Sequence, residues 1–337
     1  MQHPLVSVVI VAFKRPDLLL RNVEVLSKTA YEPYEIIVID NGLGVDRCSL
    51  QVTGEVRVVN VPTNVGFAEG ANLGASEARG DYLAFLNDDV EVDSEWLSEL
   101  IAFMEMNPKV AACQCLLLKL PDRHQVDSAG DLIDAYGFGL KGAFGHCNTL
   151  RAPKAIFSFR GAASVVRKEV FYEAEMFDPQ FFFGYEDVDL SWRIRLLGFD
   201  VMLFPSSVAY HWGESSGEMA FRAFHSTKNR ISMILKNYEL RSLLSHFFGV
   251  VALNVALILY ELLKGHKSIG LARSRGILWV AKNFSLIWKK RLKVQRLRVL
   301  PDSAVMQLFH KGTVLALYLR FTEIGGDRRL PPLRNCC

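Results

Sequence analysis

The first 90 residues alternate between apolar runs and amphipathic segments. Residues 6–13 form a β-branched run of the kind found in strands buried on both faces, and similar runs cover 35–42, 56–61 and 82–86. Helical spacing of apolar positions after Pro16, and a small-residue segment at 67–78, place helices between these strands. Strand and helix alternating at this spacing predict an α/β fold with a mostly parallel sheet flanked by helices.

The pattern loosens after residue 89. We expect a helix over 96–106, extended chain over 110–120 and 157–167, a helix over 186–197, and a short strand over 201–205 that leads to His211. The polar, glycine-rich stretch 121–153 is long for a compact domain, so it is expected to be a lid or binding loop.

The C-terminal part differs from the rest in its pattern of apolar residues, so we divide the whole chain into three predicted segments. These are a catalytic domain over 1–220, a helical region over 221–300 and a tail over 301–337. Within the second, residues 247–260 are almost wholly apolar, which is short for a membrane span and typical of an interfacial or buried helix. The pattern leaves open whether this helix dips into a bilayer or packs on the catalytic domain.

Charge is distributed unevenly along the chain. The net charge is +3, yet residues 264–298 hold 11 Lys or Arg and no Asp or Glu, whereas residues 1–263 carry a net charge of −10. Aromatic and aliphatic residues are mixed with these positive charges, which predicts a region that lies on an anionic membrane surface. The six cysteines have no Cys-x-x-Cys spacing, and residues 5–13 lack a basic leader, so a reduced, cytoplasmic catalytic body is expected.

Candidate chemistry is concentrated at two acidic clusters. Asn87, Asp88 and Asp89 directly follow an apolar strand, and carboxylates at the carboxyl edge of a sheet suit Mg²⁺ or Mn²⁺ holding a diphosphate. The second cluster, 186–189, precedes His211. A metal carboxylate, a second carboxylate and a histidine in this order indicate transfer of a group from a nucleotide diphosphate.

Residues 6–212 resemble the inverting family 2 glycosyltransferases with the GT-A fold, and most closely bacterial rhamnosyltransferase-type enzymes of cell-surface polysaccharide synthesis. Each piece is weak alone, but their order and spacing are specific. The matching segments are Val6–Ile10, Ile39–Asn41, Asn64–Phe67, Asn72, Asn87–Asp89, Phe183–Asp189 and His211–Gly213.

The resemblance implies a nucleotide-sugar site. Asp40 would bond the base, although a turn-forming Asp before Asn41-Gly42 is an alternative. Asn64, Gly66 and Asn72 would lie near ribose and diphosphate, or serve only as loop and cap residues. Asn87 and Asp88 would complete the donor contacts. Asp89 and His211 would hold the metal, where Asn87 replaces the first acid of the family's Asp-x-Asp motif.

The resemblance assigns the second cluster to the acceptor. Asp187 would be the general base that takes the acceptor's hydroxyl proton, with Glu186 in support. Acids are also favoured at a helix N-terminus, and Asp189 and Arg193 could simply pair. The Gln-x-x-Arg-Trp motif of processive members is absent from the sequence, so one sugar per binding event is expected.

The expected partners are a nucleotide-diphosphate sugar, a glycan or polyprenyl-linked acceptor and the anionic inner face of the cell membrane, with no nucleic acid. Two alternatives stay open: a sugar-phosphate nucleotidyltransferase, and a membrane protein that binds nucleotide sugars without turnover. The first would need a glycine-rich, basic phosphate loop, and residues 13–16 have the charge without the glycines.

Overall fold

A computed structural model describes residues 3–44, 56–141, 150–213 and 218–312. Its centre is a ten-stranded sheet in the order β10-β12-β6-β11-β4-β1-β2-β3, with β5 on β12 and β7 on β6. The strands are β1 Val6–Ala12, β2 Tyr34–Asn41, β3 Val56–Val61, β4 Tyr82–Asn87, β5 Val90–Val92, β6 Val110–Lys119, β7 Val126–Ser128, β8 Asp131–Ile133, β9 Gly139–Lys141, β10 Lys154–Ala155, β11 Ala163–Arg167 and β12 Asp200–His211. Strands β8 and β9 form a separate hairpin.

Helices cover both faces of the sheet. They are α1 Pro16–Leu26, α2 Gly66–Glu77, α3 Trp96–Met106, α4 Lys168–Glu173 and α5 Glu186–Leu196. Alternate residues of β1 enter opposite cores: Val8 and Ile10 pack with α1 and α3, whereas Val9 and Val11 pack with α2, α4 and α5. This is why the β1 run is apolar throughout rather than alternating.

Helix α2 approaches β1 closely because its inner face is built of small residues. A Cβ atom added at Gly74 would lie 2.3 Å from Val9 Cγ1, and one at Gly70 would lie 2.8 Å from Val11 Cγ1. The small-residue helix predicted from the sequence therefore sits against the first strand with no room for larger side chains.

The sheet brings the ends of β1, β2 and β4 to one edge, since these strands pair in parallel. The antiparallel strand β11 lies between β4 and β6, so the sheet is mixed, though mostly parallel along its main order. Two sequence expectations change. Strand β11 begins at Ala163 rather than at residue 157, and β12 runs unbroken to His211, with a register shift at 204–208, instead of ending at residue 205.

Four helices follow the sheet: α6 Met219–Asn237, α7 Leu240–Leu263, α8 Lys267–Lys282 and α9 Phe284–Leu297. Two short turns of helix, α10 Asp302–Val305 and a 3-10 turn at Met306–Leu308, end the described chain, and a similar turn covers Pro179–Phe181. The predicted tail lies mostly outside the described residues.

Helix α7 is 24 residues long, ten more than the apolar run that predicted it, and its length and hydropathy would suffice to cross a membrane. One side nevertheless packs inward. Asn254 Oδ1 accepts a 2.6 Å hydrogen bond from Arg230 Nη2 of α6, and Glu261 pairs with Arg273 of α8 at 3.3 Å. The opposite side, including Phe248 at 81 % exposed, faces outward.

Candidate active site

The site begins where β4 ends. The Asn87 amide donates a 3.0 Å hydrogen bond to the Ala162 carbonyl, which fixes the strand end against the start of β11. Asp88 then turns towards β1, where its Oδ2 accepts the Phe13 amide at 2.9 Å. Burial raises the pKa of Asp88 to about 6. Two neighbouring carboxylates here need cations or amides nearby to remain ionised.

Two basic side chains, Arg15 and His211, lie beside Asp89. Its Oδ2 pairs with Arg15 Nη1 at 2.8 Å, and its Oδ1 lies 3.3 Å from His211 Nε2. Burial acts to raise the pKa of Asp89, but the hydrogen bond and charge of His211 and then the charge of Arg15 outweigh it and hold that pKa below the usual value. Asp89 is therefore the more readily ionised member of the pair.

His211 is oriented by a third carboxylate. Its Nδ1 lies 2.8 Å from Asp127 Oδ2 in β7. When Nδ1 carries the proton and donates to Asp127, the Nε2 lone pair faces the Asp89 carboxylate, and such a pair is stabilised by a proton or a metal ion between them. His211 and Asp89 therefore present one nitrogen and one oxygen donor to the same point.

This donor set fits a small divalent ion. Octahedral ligands about 2.0–2.1 Å from Mg²⁺ stand roughly 3.0 Å apart, close to the 3.3 Å between His211 Nε2 and Asp89 Oδ1. Among the described residues, no group of three or more His, Cys, Asp or Glu side chains encloses a metal site. A two-ligand site is what Mg²⁺ uses when substrate phosphates and water complete its coordination.

The second acidic cluster lies at the first turn of α5. Asp187 Oδ2 accepts the Gly161 amide at 3.2 Å, and its Oδ1 accepts the Val188 amide. Burial and then the charge of Asp131 raise the pKa of Asp187, and Arg160 offsets only part of this. Burial and then the charge of Asp187 raise the pKa of Glu186, whose Oε2 has no hydrogen-bond partner.

Residues 160–162 join the two clusters. Gly161 contacts Asp187, Ala162 contacts the end of β4, and Arg160 forms a two-oxygen ion pair with Asp131. The charges of Asp131, Asp187 and Asp127 all act on the Arg160 guanidinium. The structure thus brings the predicted metal ligands, Asp89 and His211, and the predicted base Asp187, which follows Asp89 by 98 residues, to one edge of the sheet.

Two of the predicted nucleotide residues, Asp40 and Asn64, lie at the end of β2 and shortly after β3. Asp40 Oδ1 accepts the amides of Leu43 and Gly44, so the turn role is present, and its contact with a base stays a prediction. Asn64 Oδ1 accepts Asn41 Nδ2 and the Gly66 amide, both at 2.9 Å. The Asn64 side chain caps the loop in which a diphosphate was expected.

Gly66 is required by the protein itself. Its φ is +85°, and a Cβ there would lie 2.4 Å from the Phe182 carbonyl oxygen. Asn72 lies deeper: its amide nitrogen donates to the Phe177 carbonyl and its oxygen accepts the Phe177 amide. That side chain is occupied within the protein, where it ties α2 to the segment before α5. Donor contacts by Gly66 and Asn72 stay predictions.

The sequence interpretation missed Arg15, Asp127, Asp131 and Arg160. Arg15 stands directly after the first strand beside Pro16, where a basic residue at a strand end was visible but unassigned. Asp127 and Asp131 lie in the stretch expected to be a binding loop, without a motif that distinguishes them.

The fold has known counterparts. A structure titled GalNAc-T7 with UDP, GalNAc and Mn²⁺ superposes with a TM-score of 0.54 at 20 % identity, covering 70 % of this chain and 48 % of that one. The mannosyltransferase PcManGT from Pyrobaculum calidifontis, solved with GDP-Man and Mn²⁺, gives 0.51 at 14 % identity, covering 93 % and 89 %. The fold is GT-A, as the resemblance implied.

Sequence comparison adds a similarity to a family. Residues 7–166 match the model of Glycosyl transferase family 2, so this part of the chain is similar to that family. The chain is 30 % identical over 230 residues to the O-antigen biosynthesis protein RfbC of Myxococcus xanthus, covering 63 % of this chain and 18 % of that protein. It is 26 % identical over 228 residues to polypeptide N-acetylgalactosaminyltransferase 11 of Xenopus tropicalis, covering 62 % and 38 %. The chain therefore spans less than half the length of these relatives.

Proposed function

We propose that the protein is an inverting glycosyltransferase that moves one sugar from a nucleotide-diphosphate sugar to a hydroxyl of a glycan or polyprenyl-linked acceptor in cell-surface polysaccharide synthesis. The observation that carries this proposal is the pairing of two different carboxylates at one sheet edge. Asp89 is held ionised beside His211, whereas Asp187 has a raised pKa and is available to take a proton.

On the donor side, Asp89 and His211 would hold Mg²⁺ or Mn²⁺, which would offset charge on the departing nucleoside diphosphate. The glycosyltransferase structures with Mn²⁺ and a nucleotide or nucleotide sugar support this assignment. Asp127 keeps His211 Nε2 directed at the metal position. Asp40, Asn64 and Gly66 line the neighbouring strand ends, where the nucleotide and diphosphate would lie.

On the acceptor side, Asp187 takes the proton. The acceptor oxygen forms a bond to the anomeric carbon while the bond from that carbon to the phosphate oxygen breaks. The hydroxyl proton passes to the Asp187 carboxylate, and the electron pair of the broken bond leaves with the diphosphate. Attack from the face opposite the leaving group inverts the configuration. The amides of Gly161 and Val188 orient both carboxylate oxygens for this step.

The experiment is a donor panel. Purified full-length protein is incubated with UDP-, TDP- and GDP-sugars and membrane lipid extract, with and without Mn²⁺ or Mg²⁺, and nucleoside diphosphate release is measured. Metal-dependent release from one donor, with an inverted linkage in the product, supports the proposal. Pyrophosphate release would instead identify a nucleotidyltransferase, and donor binding without turnover would identify a non-catalytic binding protein.

We also propose that the protein attaches peripherally to the inner face of the cell membrane through α7, α8 and α9. The outward side of α7 carries large exposed apolar residues: Leu244, Phe247, Phe248, Val251, Val255, Leu259 and Leu262. Exposed lysines and arginines of the neighbouring segment supply positive charge: Lys264, Lys267, Arg275, Lys282, Lys289 and Arg296. Apolar and basic groups together match an anionic bilayer surface.

Attachment to the surface is favoured over a span because α7 uses its inward side for the protein. Asn254 and Glu261 are buried and bonded to Arg230 and Arg273, and these contacts would be lost if α7 left the helical region to cross a bilayer.

Vesicle co-sedimentation tests the attachment. We expect binding to vesicles containing anionic phosphatidylglycerol, weaker binding to neutral vesicles, and a decline with salt. Phe248→Ser should weaken binding about tenfold, since a large apolar side chain contributes about 1.5–3 kcal/mol when buried. Met106→Ser, equally apolar and 75 % exposed on α3, is the control. Equal binding by Phe248→Ser and the control would refute this surface.

A further inference from the structure

The segment that leads into α5 has an unusual backbone. Phe182 and Tyr185 have backbone φ angles of +59° and +72°, which residues other than glycine rarely adopt. Gly184, between them, has a φ of +78°. Glu186 and Asp187 follow at once. A segment with this backbone keeps its shape only when its surroundings determine it.

Each backbone carbonyl from Gln180 to Gly184 accepts a hydrogen bond from α6 or α2. Lys228 Nζ of α6 donates to the Gln180 carbonyl at 2.7 Å. The Phe182 carbonyl accepts the Phe67 amide at 2.8 Å, at the first turn of α2. The carbonyls of Phe181, Phe183 and Gly184 all accept hydrogen bonds from one atom, Nδ2 of Asn229, at 2.8, 3.0 and 2.7 Å.

Asn229 is fully buried in the middle of α6. Its amide carries two protons for three acceptors, so the three carbonyls must stay grouped around it. Without Asn229 the carbonyls of Phe183 and Gly184 would lose this donor and the Phe181 carbonyl would keep only the Phe183 amide, so the segment would move to find other donors. Helix α6 also contacts α5, because Lys236 and Asn237 each donate a 3.0 Å hydrogen bond to Asp189.

We infer that Asn229 is a positioning residue for the transfer step, and that it holds the segment 181–185 so that Asp187 stands against Gly161. This inference rests on the proposed function. It gives the C-terminal helices a catalytic task in addition to attachment, although the matched family region ends at residue 166. The donor side is expected to be less affected, because Asn229 makes no hydrogen bond to Asp40, Asn64 or Asp89. The segment reaches the donor side at Phe182, whose carbonyl accepts the Phe67 amide beside Gly66.

The test compares Asn229→Ala with Asn254→Ala. Asn254 is an equally buried asparagine in the same helical region, bonded to Arg230 and to the Val250 carbonyl, with no hydrogen bond to residues 180–184. We expect kcat of Asn229→Ala to fall about 10- to 100-fold, the cost of displacing a catalytic group by about 1 Å, with KM for the donor changed less than about threefold. Asn254→Ala, corrected for its folded fraction, should keep kcat within about threefold.

Hydrogen exchange provides a readout that does not depend on turnover. The backbone amides of residues 181–190 should exchange faster in Asn229→Ala than in wild type. In Asn254→Ala they should exchange at the wild-type rate. Equal kcat values for the two folded variants, or unchanged exchange, would overturn the inference. If wild type turns over no donor while Asn229→Ala still exchanges faster, the proposed function is refuted and the packing role of Asn229 is retained.

Discussion

The two acidic pairs, Asp88-Asp89 and Glu186-Asp187, have similar composition, but the second residues of the pairs, Asp89 and Asp187, have opposite electrostatic surroundings. Asp89 pairs with Arg15 and faces His211, and its pKa lies below the usual value. Asp187 is bonded to two backbone amides and shares Arg160 with Asp131, and its pKa lies above the usual value. Neighbouring carboxylates thus acquire different chemistry from the cations placed beside them.

The difference indicates a division of labour. A carboxylate that stays ionised beside a histidine nitrogen can bind a divalent ion, and one whose pKa approaches neutrality can accept a proton and release it in each cycle.

The largest effect is expected from Asp187→Asn. Removing the proton acceptor while keeping the shape of the side chain should lower kcat by about 10²- to 10⁴-fold, the usual contribution of a general base. Glu173→Gln on the exposed end of α4 is the matched control and should keep wild-type turnover. A loss below tenfold in Asp187→Asn would exclude it as the base.

A smaller effect is expected in the pH profile. Asp187 works when ionised, so kcat should fall as pH falls through its raised pKa, above the value of about 3.9 for an ordinary aspartate. Arg160→Gln removes a positive charge that favours the ionised form of Asp187. The acidic limb of the plot of kcat against pH should therefore move up by about one pH unit, and Arg160→Lys should return it to the wild-type position. Arg151→Gln is the exposed control. A limb that stays in place in Arg160→Gln would contradict the assignment.

The smallest effect concerns Arg15. Its guanidinium pairs with Asp89 Oδ2 and offsets the charge of the carboxylate whose Oδ1 would bind a metal, so Arg15→Ala should bind Mn²⁺ about two- to fivefold more tightly at low salt. Lys14→Ala, one residue earlier, should bind as wild type. Calorimetric titration measures both, and a tenfold weaker affinity in Arg15→Ala would show that Arg15 supports the metal site rather than competing with it.

Much of the sheet could be predicted from sequence because its signal is local. The apolar runs before Asp40 and Asn87 gave β2 and β4 close to their observed ends, and α3 matches the predicted range. Helix α7 extends beyond its apolar run because residues 240–246 and 261–263 continue the same helix with mixed polarity. Periodicity identifies an element, but packing sets its length.

The site was predictable only in part. Strand ends place Asp89 and His211 at one edge, since carboxyl ends of parallel strands meet there. The contacts of Asp127 with His211 and of Asn229 with Gly184 join residues 84 and 45 positions apart, and they depend on how loops and helices pack. The amphipathic pattern of α6 does not reveal that its buried face is polar and bonds to backbone carbonyls.

If the two carboxylate pairs have separate tasks, their variants should differ in Mn²⁺ binding. Mn²⁺ is titrated by electron paramagnetic resonance into wild type, Asp89→Asn and Asp187→Asn, each with the nucleoside diphosphate that wild type releases. We predict that Asp187→Asn binds Mn²⁺ as wild type does, although its turnover is lost, and that Asp89→Asn binds at least about tenfold more weakly. Equal affinities in the two variants, or weaker binding in Asp187→Asn, would contradict the account.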